Sequence, residues 1–489
     1  RSHLHPRGPS FHIAAMRSNT MLMSLLVAAG AAFAFAAEGS CANPSHRQHH
    51  VLLQSWHSQS SSATSLNEAI ADHSYQDRTL VSNEGMSVSE QQDTQTFASL
   101  FWCPPRWQRH SAHAIPLSDS SYAPVFASFP PGATAVTSAI VVIHGASREA
   151  EGYFGGMVDM VRQQKKDKHT LVVAPAAADK PCSAANWSRG ADGVPDDAQA
   201  PHWTSLRRWM YGGDADSKEH HAGLSSFDVL DSVVAWIQVK YPNLQRLVVT
   251  GHSAGAQHVL RWAVMSPEGA DGVTRYRGHH LPLTIIVSSP SSVIYLSEER
   301  PASTCRPDQD QGPQWSCNNF SIPGPESNCG SKWDTYGAGI GGLYEGASSE
   351  GKIRYQANAY LMRSISPYDR SAAGVRNEVR SRWATKDVRF MFGEWDIWHC
   401  DIGACANDCE FMLQGTSRLQ RGLNYMSYLK QEFPDSQPLW GVFHHGHNYR
   451  GAYSSHLFTT WALPYDSKGY SVMDREVTDS GGNKGIFVE

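Results

Sequence analysis

The sequence predicts an α/β protein in which helices flank a mostly parallel sheet. Short runs of apolar and β-branched residues alternate with longer segments whose apolar residues recur at helical spacing. This alternation builds parallel sheets, because each helix carries the chain back to the edge where the next strand starts. A G-x-S-x-G pattern at residues 251–255 lies between one such strand and the next helix. The 489 residues have room for one large domain with insertions or for two domains.

The sheet begins, on this prediction, soon after residue 96. The predicted elements are strands at 113–117, 121–129 and 139–143, a helix at 149–166, a strand at 170–174 and a helix at 227–239. His144 and Gly145 close the strand at 139–143. This order of strands and helices is typical of a parallel sheet with helices on both of its faces.

The G-x-S-x-G pattern has the sequence context of a nucleophile elbow. A strand at 247–250 leads into Gly251, and a helix at 256–265 follows Gly255. In such an elbow the serine occupies a strained turn that tolerates only small residues two positions away on either side. The turn exposes the serine hydroxyl above the sheet. We therefore predict that Ser253 is a nucleophile and that His252 is a packing neighbour.

A long insertion interrupts the pattern after a strand at 283–287. Residues 290–386 contain Cys305, Cys317 and Cys329, a glycine-rich run and few sustained apolar runs. We predict a disulfide-stapled insertion over the edge of the sheet, acting as a lid or a wall of the cleft. Regular elements then return as a strand at 388–392, a mostly helical segment at 409–433, a strand at 438–443 and a helix at 449–463, before a polar tail at 464–489.

An acyl-transfer site also needs a base, an acid that orients the base, and donors for the oxyanion. Asp396 follows the strand at 388–392, and His447 follows the strand at 438–443. Serine, acid and histidine thus occur in that order, each at the carboxyl end of a strand, where parallel sheets place their sites. The alternatives for the acid are Glu394 and Asp401, and those for the base are His444 and His445.

The oxyanion donors are predicted from the same logic. One is the backbone N–H that follows the nucleophile, at Ala254, and the other comes from the loop after an early strand. His144, Gly145 and Ala146 form that loop, so we predict the N–H of Ala146 as the second donor.

The ends of the chain and its cysteines indicate secretion. Residues 1–37 contain a basic residue, an apolar run and alternating alanines typical of a signal peptide, and residues 38–95 have the composition of a disordered leader. The predicted domain that carries the G-x-S-x-G motif then covers residues 96–463. The cysteines are Cys41, Cys103, Cys182, Cys305, Cys317, Cys329, Cys400, Cys405 and Cys409, and eight of them suit disulfides in an oxidising compartment. Short loops favour local bridges within the insertion and among the last three. Asn186 and Asn319 begin glycosylation sequons.

Charge and motifs exclude other classes. The net charge of −5 argues against a nucleic-acid partner, and no second stretch has the length and hydrophobicity of a membrane span. Neither a pair of C-x-x-C units nor H-E-x-x-H occurs, so we expect no metal and no cofactor.

The segments IVVIHG, GHSAG, FGEWD and HGH, between residues 138 and 463, resemble the α/β-hydrolase superfamily. More narrowly, HGASREAEGYF, SSFDVLD, GHSAGAQHVLRWA and CEFMLQGTSRLQRGLNY resemble secreted, fungal-type α/β-hydrolases whose substrates are poorly defined. The resemblance implies the α/β-hydrolase fold and a serine hydrolase with Ser253, Asp396 and His447 as its triad. It implies no substrate.

A secreted serine esterase that forms an acyl-enzyme is the leading hypothesis, with a small-molecule or polymeric ester as its partner and its oligomeric state open. A peptidase or another acyltransferase on the same fold is an alternative, as is a catalytically silent binding module. Seven tryptophans in predicted loops are candidates to line a cleft for an aromatic or sugar-bearing ester, although packing under the loops explains most of them. They are Trp187, Trp203, Trp209, Trp315, Trp333, Trp395 and Trp398.

Overall fold

A computed structural model describes residues 111–118, 120–187, 194–216, 221, 223–274, 280–302, 317–343, 357–400, 406–463, 475–478 and 484–488. The predicted signal peptide and leader lie outside these residues. So do Asp401, Trp315 and four of the cysteines, Cys41, Cys103, Cys305 and Cys405. Within the described ranges, no helix combines the length and hydrophobicity that crossing a bilayer requires.

Ten strands of the described chain form one sheet in the order β1-β2-β4-β3-β5-β6-β9-β10-β12-β11. In chain order, the strands are β1 (Ala112–Ser118), β2 (Ser121–Ala127), β3 (Ser138–Ile143), β4 (Thr170–Pro175), β5 (Arg246–His252), β6 (Leu283–Ser288), the short pair β7 (Arg300–Pro301) and β8 (Phe320–Ser321), β9 (Asp387–Gly393), β10 (Leu439–Phe443), β11 (Arg475–Thr478) and β12 (Lys484–Val488). Neighbours from β4 to β12 pair in parallel, whereas β1, β2 and β11 pair antiparallel. The predicted α/β-hydrolase fold is confirmed.

The central strands β3, β5 and β6 are buried over almost their whole length. Continuous apolar strands are typical of parallel sheets that are covered on both faces. Alternate residues of β3 belong to two separate cores, with Ala139, Val141 and Ile143 in one and Ile140 and Val142 in the other. Each face of the sheet therefore has its own apolar core.

Helices cover both cores. They are α1 (Ala150–Gln163), α2 (Ala184–Trp187), α3 (Leu206–Met210), α4 (Ser226–Lys240), α5 (Ala254–Met265), α6 (Ala357–Ser364), α7 (Ala372–Ala384), α8 (Cys409–Met412), α9 (Arg418–Glu432), α10 (Tyr449–Ser454) and α11 (His456–Ala462). Leu230 of α4 and Val259 of α5 pack in the first core. Met157 of α1 and Leu457 of α11 pack in the second. The amphipathic stripes thus direct these helices to opposite faces.

Two segments, one predicted as mostly helical and one as a helix, each contain two helices. The segment 409–433 contains α8 and α9, and the segment 449–463 contains α10 and α11. Ser417 and Ser455 have extended backbones, and their hydroxyls accept hydrogen bonds from the first turns of α9 and α11. A serine that caps a new helix interrupts the previous one without changing the apolar pattern, which is why the breaks were not predicted. The sheet also continues beyond 463, because β11 and β12 lie in the predicted tail.

The insertion after β6 contains two helices that were not predicted, α6 and α7. In α7 the buried residues are Val375, Val379 and Trp383, one per turn, among arginines and other polar residues. A single apolar residue per turn is a weaker signal than the broad stripe of the helices that cover the sheet. The helix is amphipathic, but its apolar face is narrow.

Bonds to the rest of the domain attach the described part of the insertion. Tyr360 on α6 donates to Asp231 on α4 at 2.7 Å, and Arg363 pairs with both carboxylate oxygens of Asp228 at 2.5 and 2.6 Å. A disulfide joins Cys329 to Cys409, across 80 residues of sequence. The expectation of local bridges was therefore wrong for these two cysteines, since the fold brings distant segments together. Cys182, Cys317 and Cys400 are also disulfide-bonded.

Asp231 should make stability depend on pH. Its carboxyl group accepts hydrogen bonds from Trp262 Nε1 and Tyr360 Oη, both at 2.7 Å. Burial raises the pKa of Asp231 to about 7, although these hydrogen bonds lower it. Between the unfolded pKa of about 4 and pH 7, the unfolded chain loses this proton and the folded chain keeps it. Relative to Asp231→Asn, the free energy of unfolding of the wild type should fall across this window, by at most about 1.4 kcal/mol per pH unit.

Urea unfolding at several pH values measures this difference. Asp159→Asn is the control, because Asp159 is an exposed carboxylate that pairs with Arg162 on the surface. If the wild type and Asp231→Asn keep a constant difference from about pH 4 to about pH 7, Asp231 ionises normally in the fold.

Candidate active site

The G-x-S-x-G segment forms a tight turn between β5 and α5. Ser253 has φ of 61° and ψ of −121°, a strained conformation for a residue with a side chain. A Cβ on Gly251 would lie 2.4 Å from the carbonyl oxygen of Gly255, and one on Gly255 would lie 2.3 Å from that of Ile143. Only glycine fits at these two positions, so the spacing of the motif follows from the turn.

Three of the predicted residues meet at this turn. His447 Nε2 lies 2.8 Å from Ser253 Oγ, and His447 Nδ1 lies 2.7 Å from Asp396 Oδ2. Because the carboxylate can only accept, Nδ1 carries the proton, which leaves Nε2 to accept the serine hydroxyl. The Asp396 side chain is 1% exposed and that of His447 is 24% exposed. The arrangement can transfer a proton from the serine to the imidazole.

Asp396 is held ionised inside the protein. Burial raises the pKa of its carboxyl group, but the hydrogen bond from His447 and the electrostatic attraction of His447 and Arg418 outweigh burial and lower the pKa. Arg418 Nη1 lies 3.1 Å from Asp396 Oδ1. Arg418 is not predictable from the sequence, because nothing in the local pattern of α9 connects it with a residue 22 positions earlier.

The loop that carries His447 approaches the end of β9 closely. A Cβ on Gly393 would lie 2.6 Å from the carbonyl oxygen of His445, so glycine is required there. The backbone N–H of Trp395 donates to the same oxygen at 3.2 Å. Tyr449 then stacks on Tyr153 of α1, with ring centroids 4.0 Å apart. These contacts hold the loop against the turn that carries the acid.

The other candidates for acid and base lie elsewhere. Glu394 pairs with His444, whose Nδ1 lies 2.6 Å from Glu394 Oε2, and the His444 side chain is 60% exposed. His445 is exposed, and its ring packs on Gly451 of α10. None of these three contacts Ser253.

His252 lies beside the triad without joining it. Its Nδ1 is 3.0 Å from Ser288 Oγ, and its ring centroid is 4.7 Å from that of His447. Burial lowers the pKa of His252 well below the usual value, and the neighbouring His447 and Arg418 lower it further. His252 Nε2 is buried, with no hydrogen-bond partner among the described residues. His252 is thus a neutral packing and hydrogen-bonding neighbour.

Ala254 and Ala146, the predicted oxyanion donors, lie at the start of α5 and in the turn after β3. Within the described part of the chain, no acceptor is bonded to either backbone N–H. The turn after β3 is fixed by His144, whose Nε2 accepts from the N–H of Ala177 at 3.1 Å. Burial lowers the pKa of His144 to about 3, so it is neutral. Two unpaired donors beside the serine turn are what an oxyanion site needs.

The predicted tryptophans fall into a buried and an exposed group, apart from Trp333, which is half-buried beside the guanidinium of Arg300, and Trp315, which lies outside the described residues. Trp187, Trp203 and Trp209 are buried in the two cores, as packing under loops requires. Trp395 and Trp398 are 50% and 66% exposed, on the loop that contains Asp396. This loop therefore presents two indole rings to solvent beside the acid.

One group of side chains in the described residues has the spacing of a metal site, namely Cys329, Cys409 and Glu410. The two cysteines form a disulfide, so neither offers a thiolate to a metal.

No protein-family model and no curated protein matches this chain. Among solved structures it is similar to poly(aspartic acid) hydrolase-1 from Sphingomonas sp. KT-1, with 17% identity and a TM-score of 0.40 over 71% of this chain and 95% of that one. It is also similar to a poly(3-hydroxybutyrate) depolymerase from Bordetella parapertussis, with 14% identity and a TM-score of 0.36 over 73% and 91% of the two chains. A siderophore hydrolase from Aspergillus nidulans gives 11% identity and a TM-score of 0.33 over 73% and 95%. At this level of similarity no substrate transfers to this chain.

Proposed function

We propose that this protein is a secreted serine hydrolase that cleaves carboxylic esters through an acyl-enzyme. The observation that carries the proposal is the continuous chain of hydrogen bonds from Ser253 through His447 to Asp396, at 2.8 and 2.7 Å. A nucleophile in contact with a base, and a base in contact with an orienting acid, is the arrangement that acyl transfer requires.

In this mechanism Ser253 Oγ attacks the ester carbonyl while His447 Nε2 takes the hydroxyl proton. Asp396 stabilises the imidazolium that forms, and the N–H groups of Ala254 and Ala146 bind the oxyanion. The tetrahedral intermediate collapses, the C–O bond to the alcohol breaks, and His447 gives its proton to the leaving oxygen. Water, deprotonated by His447, then attacks the acyl-enzyme, and collapse of the second intermediate releases the acid and restores the serine hydroxyl.

The signal-like segment at 1–37 and the disulfides support secretion. Asn186 and Asn319 are both exposed, as glycosylation would require. A silent binding module has no need for a base in contact with a strained serine, so the site geometry favours an enzyme. A peptidase would use the same groups, and the distinction lies in the substrate.

Ester hydrolysis is tested on the purified protein with p-nitrophenyl esters of increasing acyl length, a phenolic ester, and peptide p-nitroanilides in parallel. We expect turnover of at least one ester and no cleavage of the anilides. Cleavage of the anilides with no turnover of any ester would establish the peptidase alternative.

Trp398 should contribute to the binding of aromatic esters. It is 66% exposed on the loop that contains Asp396, and an exposed indole ring offers a face for stacking. We expect Trp398→Ala to raise KM for the methyl ester of a phenolic acid by about 2- to 10-fold. This is the loss of binding that the free energy of one aromatic contact corresponds to. KM for ethyl acetate should change little.

The control is Tyr368→Ala, because Tyr368 is a 96% exposed aromatic residue of the insertion. Steady-state kinetics on both esters measures the effect. An equal change in KM for the phenolic ester and for ethyl acetate would argue against aromatic recognition by Trp398.

A further inference from the structure

The acid of the proposed triad is bonded on both of its oxygens. Asp396 Oδ2 faces His447 Nδ1 at 2.7 Å, and Oδ1 accepts from Arg418 Nη1 at 3.1 Å. The Arg418 side chain is 10% exposed and that of Asp396 is 1% exposed. A carboxylate with one partner can rotate about its Cβ–Cγ bond, whereas partners on both oxygens fix its plane.

Arg418 is itself fixed at both ends. It is the first residue of α9, where the Ser417 hydroxyl caps the helix by accepting from the N–H of Gln420. Its guanidinium Nε donates to Ser291 Oγ at 2.9 Å while Nη1 donates to Asp396. The planar guanidinium makes these two bonds in fixed directions, which an ammonium group on a flexible chain would not.

We propose that Arg418 is a positioning residue for the hydrolytic reaction, which holds Asp396 in the plane that presents Oδ2 to His447 and offsets part of its negative charge. This inference rests on the proposed function. The offset matters because a carboxylate stabilises the imidazolium form of its histidine. A cation beside that carboxylate weakens the stabilisation, and His447 is more readily restored as a neutral base.

The effect of Arg418 on the charge of His447 must be told apart from that of the other charged and titratable groups around His447. His447 faces Asp396 from the turn after β9, Ser253 and His252 from the elbow, and Arg418 through Asp396 from α9. His252 is neutral, since burial lowers its pKa. Arg418 is therefore the cation whose removal alters the charge that His447 senses.

Arg421 is a matched control on the same helix. It is also buried, and it donates to the carbonyl oxygens of Ser291 at 2.5 Å, Gly415 at 2.9 Å and Ala406 at 2.7 Å. It makes no contact with Asp396 among its hydrogen bonds within the described residues. Arg421→Met thus disturbs the loop after β6 and the start of α9 without touching the acid. Ser291→Ala removes the hydroxyl that accepts from Arg418 Nε and leaves the bond from Nη1 to Asp396.

The experiment measures the rate constant for labelling by a fluorophosphonate probe from about pH 5 to about pH 9, in the full chain, with folding checked by circular dichroism. For Arg418→Met we expect the rate at the plateau to fall about 10- to 100-fold, the size of the loss when a residue that orients a metal ligand is removed. We also expect the acid limb of the profile to move up by about one pH unit, because the lost cation no longer opposes the imidazolium. Arg418→Lys should lower the rate but keep the acid limb in place.

Arg421→Met and Ser291→Ala should leave the acid limb where it is, whatever their effect on the rate. If Arg418→Met does not fold, Arg418→Gln replaces it, and the same shift of the acid limb is expected because the charge is absent. Wild-type rate and acid limb in a folded Arg418→Met or Arg418→Gln protein would overturn the inference, as would an identical profile for Arg421→Met. A wild-type protein that the probe does not label would instead overturn the proposed function, on which the inference depends.

Discussion

Replacing Ser253 with alanine is expected to abolish labelling by a fluorophosphonate probe and to lower kcat on esters by about six orders of magnitude. The hydroxyl is lost from the strained turn, so the His447 imidazole has no proton to accept and no acyl-enzyme forms. The turn should persist, because its close backbone contacts depend on Gly251 and Gly255, which the substitution leaves unchanged. Probe labelling, ester kinetics and thermal unfolding of the same preparations measure the three outcomes.

Ser266→Ala is the matched control for this substitution. Ser266 lies at the other end of α5, and its hydroxyl contacts Asp231 at 3.3 Å. This variant should be labelled as the wild type is. Equal labelling of Ser253→Ala and the wild type would remove Ser253 from the mechanism and leave the elbow as a purely structural turn.

The central sheet could be predicted because its strands are buried on both faces. The predicted strands at 139–143, 247–250 and 283–287 lie within β3, β5 and β6. A strand that is apolar on both sides needs no knowledge of its neighbours to be recognised. The elbow was predictable because its motif is local: Gly251 faces Gly255 within the turn, and the requirement for Gly255 also comes from the end of the neighbouring strand β3 at Ile143.

Features that depend on distant segments could not be predicted in this way. Arg418 is the first residue of α9, directly after the capping Ser417, and its guanidinium donates to Asp396. Its role therefore depends on where the helix begins and not on the neighbouring residues in the sequence. The Cys329–Cys409 bridge likewise depends on how the insertion folds back on the domain. Closing a short loop costs less entropy, but this favours a local disulfide only where the backbone brings the two cysteines within bonding distance.

Among the three histidines near the end of β10, replacing His447 with alanine is expected to have much the largest effect on catalysis. It should lower kcat by several orders of magnitude, because His447 lies within hydrogen-bond distance of both Ser253 and Asp396. Without it the serine keeps its proton at neutral pH and the leaving group receives none. Ester kinetics and probe labelling both measure the loss.

The same change at His444 or His445 should cost far less, and these two variants are the matched controls. The His444 ring points outward to Glu394 and Trp395, and His445 packs on Gly451. The loop passes close to Gly393 at the carbonyl oxygens of His445 and Gly446, and His447, the residue that follows, lies against the serine. A larger loss of kcat in His445→Ala than in His447→Ala would move the base two residues upstream. That result would mean that the loop takes a different path in the working enzyme, with Asp396 orienting a different ring.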